Sequence, residues 1–137
     1  MEKAQAQILV NIHEEITKGT FTDIQIICKD GTTTENRIVL AAMSSYFRAM
    51  FSSDMSESQT GVLNLPTVSL SVFEDITKMC LCGINLVSED NYMEVIDAAA
   101  MMQLDNIKQL CVLHLKEGLT LTDKNCLGWW RLLKMYN

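Results

Sequence analysis

Two histidines, five cysteines and a surplus of carboxylates are the side chains in this chain that could do chemistry, and their spacing decides which kind. Cys80-x-Cys82 puts two thiols close together, but no second pair and no nearby histidine completes the ligand set of a zinc site. Cys28, Cys80, Cys82, Cys111 and Cys126 are odd in number and scattered, which suits reduced thiols packed as small hydrophobes better than a disulfide framework. His13 and His114 stand in no serine, cysteine or carboxylate constellation that would make a nucleophile or an acid–base pair, so both read as surface or packing residues. No glycine-rich phosphate loop is visible. The expected catalytic, cofactor-binding and metal sets are therefore empty, and an enzyme is not indicated. The polar run S-S-D-M-S-E-S-Q-T-G holds one conspicuous apolar residue, Met55, two positions before Glu57, and marks a loop where function could surface instead.

The stretch from Arg37 to Phe51 leads into this loop and displays it. Val39, Leu40, Met43, Tyr46, Phe47, Met50 and Phe51 recur at spacings of three and four, which gathers them on one side of a helix. Ser44 and Ser45 interrupt the run with side chains that compete for backbone hydrogen bonds and cap new helices, so two short helices are expected rather than one. Ahead of them, residues 4–18 read as a helix with the stripe Ile8, Leu9, Ile12 and Ile16, ended by Gly19. That stripe fits folding back on its own domain or lying against a second copy. Residues 21–28 alternate as a strand, Lys29-Asp30-Gly31 makes a turn, and Thr32 to Glu35 returns as a second strand. After the loop, Val62 to Leu65 is a third strand, stopped or set near an edge by Pro66. Helices follow over residues 69–82, ended by Gly83, then from a Ser88-Glu89-Asp90 cap through Met102, and from Leu104 to Glu117. A last helix is expected from Thr122 or Asp123 onward. Trp129, Trp130, Leu132, Leu133 and Tyr136 spread around most of its circumference, which points to a missing neighbour and to a fragment of a longer protein.

The chain has 137 residues, 48% hydrophobic and 20% charged, with one proline, so a single domain with one core is expected. A net charge of -6 and no Lys/Arg cluster argue against a nucleic-acid surface. No segment has the length and apolarity of a membrane span or a secretory signal, so no membrane association and a cytoplasmic or nuclear location are expected. The nine methionines read as core filler.

The order of elements and several motifs resemble the BTB/POZ domain, and within it the N-terminal part of BTB-Kelch (Kelch-like) proteins. The carrying residues are Phe21-Thr22-Asp23-Ile24, then Arg37-x-Val39-Leu40-Ala41-Ala42-x-Ser44-x-Tyr46-Phe47-Arg48-Ala49-Met50-Phe51, and Met55-Ser56-Glu57. Ala98-Ala99-x-x-Met102-Gln103-Leu104-Asp105, Leu110-Cys111 and Asn125-Cys126-Leu127-Gly128 continue the match, which covers nearly the whole chain. Thr33 and Asn36 stand where the family usually has phenylalanine and histidine, and Leu81-Cys82-Gly83 replaces its usual Tyr-Thr-Gly.

The resemblance implies an α+β fold of the BTB/POZ type, a small sheet flanked by a cluster of helices. Residues 1–120 would form the domain, with 1–19 as a dimerisation helix, and 121–137 the start of a helical extension leading to a BACK domain and Kelch repeats. It implies a homodimer whose interface takes in Ile8, Leu9, Ile12, Ile16, Phe21, Asp23 and Arg37, the last two as a charged pair with a structural role. It further implies a substrate adaptor of a cullin-RING E3 ubiquitin ligase. Met55, Ser56 and Glu57 would bind the cullin N-terminal domain, and protein substrates would be held by C-terminal domains absent from this sequence. The alternative within the same fold is the dimerisation domain of a transcriptional regulator that recruits corepressors.

Overall fold

The structure is a computed structural model and describes residues 2–52 and 60–117 together with Trp130. The first helix, α1, spans Glu2–Thr17. It ends where Gly19 turns left-handed at φ +81°, which a residue without Cβ adopts at no steric cost. The Gly19 amide donates to Ile16 O at 2.9 Å and the Thr20 amide to Glu15 O at 3.0 Å, the paired closure of a Schellman turn.

Strand β1 (Ile24–Cys28) pairs antiparallel with β2 (Thr32–Glu35) and parallel with β3 (Val62–Leu65), giving the order β2-β1-β3. A parallel neighbour needs a crossing connection. Here the helices α2 (Arg37–Met43) and α3 (Ser45–Phe51) lie within that connection. The first strand is shorter than residues 21–28 because Phe21 takes a left-handed φ of +61°, which no strand continues through.

Ser44 divides α2 from α3, as the paired serines predict. Its backbone is extended (φ -149°, ψ 132°), and its Oγ accepts from the amides of Tyr46 and Phe47. The same hydroxyl donates to Met102 O, which ties the hairpin to a helix far along the chain.

Helix α4 (Leu70–Cys82) is capped by Ser69 Oγ and closed by Gly83 at φ +70°. Two more helices follow, α5 (Tyr92–Met102) and α6 (Asp105–Glu117). The start of α5 departs from the Ser88-Glu89-Asp90 cap expected from sequence. Asn91 is the cap residue. Its Oδ1 accepts from the Ser88 amide at 2.8 Å and its Nδ2 donates to Leu86 O at 2.9 Å, which folds residues 88–91 into a turn. Ser88 contributes its carbonyl to the Tyr92 amide at 2.9 Å, and its hydroxyl is not the cap.

The core gathers Ile24 and Ile26 of β1, Leu63 and Leu65 of β3, Leu40, Phe47, and the inner faces of α4, α5 and α6. Phe47 stacks on Phe51 at 6.1 Å and meets Tyr46 edge-on at 5.4 Å. Val39 departs from the rest of the stripe in α2 and α3, because it turns toward α1 and lines the grooves there. No helix among the described residues is long and apolar enough to cross a membrane. The helix expected over residues 121–137 lies outside the described residues except at Trp130, which is helical and exposed.

Candidate functional site

Helix α1 has two different faces. Ile16 is 8% exposed and packs inward, where α1 lies on α4. Ile8 and Leu9 face out, with Ile8 58% exposed and Ile12 between the two extremes. Two large apolar residues continue the outer face from other elements: Phe21, 79% exposed before β1, and Ile38, 78% exposed on the first turn of α2. Ile8, Ile12, Phe21, Ile38 and Val39 line one groove of about 380 Å³, and Leu9, Ile12, Ile38 and Val39 share a second of about 370 Å³ with Met43 and Cys80. Four large apolar side chains are thus left in water around these grooves.

Asn36 builds this face. Its Oδ1 accepts from the amides of Ile38 at 2.9 Å and Val39 at 3.3 Å, starting α2, while its Nδ2 donates to Phe21 O at 2.9 Å and holds the left-handed segment in place. The residue that replaces the usual histidine therefore positions Phe21 and Ile38 side by side.

Asp23 and Arg37 meet through the main chain of one of them. The Arg37 amide donates to Asp23 Oδ1 at 2.9 Å, so the carboxylate also serves the positive N-terminal end of α2. The Arg37 guanidinium lies against Gly61, where an added Cβ would stand 3.6 Å from Nη2.

Of the interface residues expected from sequence, the structure brings Ile8, Leu9, Ile12 and Phe21 around the two grooves, joins Asp23 to the Arg37 amide, and buries Ile16 against the chain itself while it still lines the first groove. Ile38 was missed by sequence reasoning. Its signal was present all the same: an isoleucine beside, rather than on, the stripe that runs from Leu40 to Phe47. Met55, Ser56 and Glu57 lie outside the described residues.

Burial pushes the thiols of Cys28 to about 11 and Cys111 to about 12, and that of Cys80 upward, so these side chains stay protonated and pack as small apolar groups. Asn106 Nδ2 approaches Cys80 Sγ at 3.7 Å. Among the described residues no cluster of three or more histidine, cysteine or acidic side chains is arranged to hold a metal ion. His114 is a packing residue, one of the two roles expected for it. Its Nε2 lies 3.4 Å from a Glu89 carboxylate oxygen, and its ring tilts over Tyr92 at 5.2 Å. His13 is half-buried and faces a polar recess under α1 that also holds Glu35.

Comparison with known proteins matches residues 12–119 to the BTB/POZ domain. Kelch-like protein 3 of human and of cattle is 32% identical to the chain over an alignment 137 positions long that covers 93% of this chain and 23% of the relative. The mouse protein of that name is 32% identical over 117 residues, 85% of this chain and 20% of its own length. The chain thus spans less than a quarter of these relatives. Among solved structures, the BTB domain of zebrafish PATZ1 superposes with a TM-score of 0.73 at 24% identity, covering 85% of this chain and 95% of that one, a likeness of fold. With a three-stranded sheet, a helical hairpin crossing between two of its strands and a family match over most of its length, the chain belongs to the BTB/POZ domain family.

Proposed function

We propose that the chain is a homodimeric protein-interaction domain that serves as substrate adaptor, joining a cullin scaffold to protein substrates in a cullin-RING E3 ubiquitin ligase. BTB/POZ domains are interaction domains and not an enzyme family, and similarity to Kelch-like protein 3 supports the adaptor reading within that family. The observation that carries the dimer is the apolar face of Ile8, Leu9, Phe21 and Ile38, four large side chains left in water by a single chain. A second copy related by a twofold axis would cover the same face on both subunits at once.

Met55 and Glu57 are the proposed cullin contacts. The methionine would enter an apolar groove and the carboxylate would take a hydrogen bond at its rim, with Ser56 between them. Two such loops would be presented by a dimer. Titration of a cullin N-terminal domain into the chain by calorimetry tests this. Met55→Ala and Glu57→Ala should each weaken binding by about tenfold or more, the loss of a buried interface anchor. Unchanged affinity in both variants removes the motif from the mechanism. No heat with the wild-type chain, together with binding of a corepressor fragment, would favour the transcriptional reading instead.

A further inference from the structure

Beneath the last turns of α1 lies a polar recess of about 350 Å³, walled by α1, β2 and α4. Glu35, the last residue of β2, lines it. Its side chain is buried, with the residue only 6% exposed, and its Oε2 has no hydrogen-bond partner. The charged and titratable groups facing it are His13 from α1 and Glu74, Asp75 and Lys78 from α4; β2 adds only threonine hydroxyls, and Ile24, opposite it on β1, is apolar. Among the described residues neither His13 nor Lys78 comes within ion-pair distance of Glu35, while Glu74 adds charge of the same sign.

A carboxylate with a buried, unpartnered oxygen and no ion-pair partner is expensive, and the neutral carboxyl is far cheaper. Burial first, and then Glu74, raise Glu35 to about 7, against the opposing pull of the Asn36 amide. We propose that Glu35 is a proton-binding site that ties the seating of α1 to pH: the carboxyl is neutral while α1 covers it, and on losing its proton to solvent it draws water onto its buried oxygen and loosens the last turns of α1 from α4. This depends on no partner and stands apart from the cullin contacts. It would nonetheless act on the helix whose outer face is proposed to dimerise.

Carbon-detected NMR of the side-chain carboxyls of the wild-type chain reads the site directly. Glu35 should titrate with a midpoint between about 6 and 8, and a midpoint below about 5.5 overturns the proposal. Hydrogen exchange of the amides from Ile16 to Thr20, corrected for intrinsic rates, supplies the second readout. Protection should fall by about fivefold or more between pH 5.5 and pH 8 in the wild type and in His13→Gln, but stay level in Glu35→Gln. Equal protection at both pH values in the wild type, or loss of the pH response in His13→Gln, overturns it as well.

Discussion

Ser44 and Glu35 are buried polar residues with opposite fates. Ser44 Oγ is fully used: it accepts from two amides at the start of α3 and donates to Met102 O, so a 3% exposed hydroxyl carries no unmet demand. Ser44→Ala should therefore lower unfolding free energy by about 1–3 kcal/mol in a urea titration, the sum of a lost helix cap and a carbonyl left without its donor. Glu35 leaves one oxygen without a partner, and its effect is on pH dependence. Its folded value of about 7 lies above the ordinary 4.5. The folded state holds the proton more tightly, so the associated stability is fully present below about pH 4.5 and is lost as pH rises through 7. Urea midpoints should fall over that window by an amount corresponding to roughly 3 kcal/mol, and Glu35→Gln should flatten the curve.

At the scale of elements, α1 has a side that packs on the core at Ile16 and a side left exposed at Ile8 and Leu9. Ile16→Ala should destabilise the chain by about 2–4 kcal/mol, because it empties a core position. Ile38→Asp and Ile8→Asp should leave the unfolding midpoint of the monomer nearly unchanged and abolish self-association, which sedimentation velocity would separate from unfolding. Sequence patterning reached most of this level. Gly19 and Gly83 marked helix ends, Ser44 marked the break between α2 and α3, and Val62 to Leu65 declared a strand. Where it failed, the reason was physical. The left-handed turn at Phe21 depends on a bond from Asn36, fifteen residues away, and the start of α5 depends on an asparagine that folds its own turn. Local propensity reports neither. The burial of Glu35 was equally hidden, since its strand alternation is ordinary and the lid above it comes from α1.

For the whole molecule, one core holds a scaffold that leaves an apolar face in water. The face could be read halfway from sequence, since the stripe Ile8, Leu9 and Ile12 was plain, whereas the joining of Phe21 and Ile38 to it needed the fold. A single chain leaves Phe21 79% and Ile38 78% exposed, and a second copy would cover them. Multi-angle light scattering on the purified chain at micromolar concentration measures this directly. A mass twice the 15.4 kDa of one chain, reduced to the single-chain value by Ile38→Asp, is the predicted result, and a wild-type mass of 15.4 kDa would contradict it.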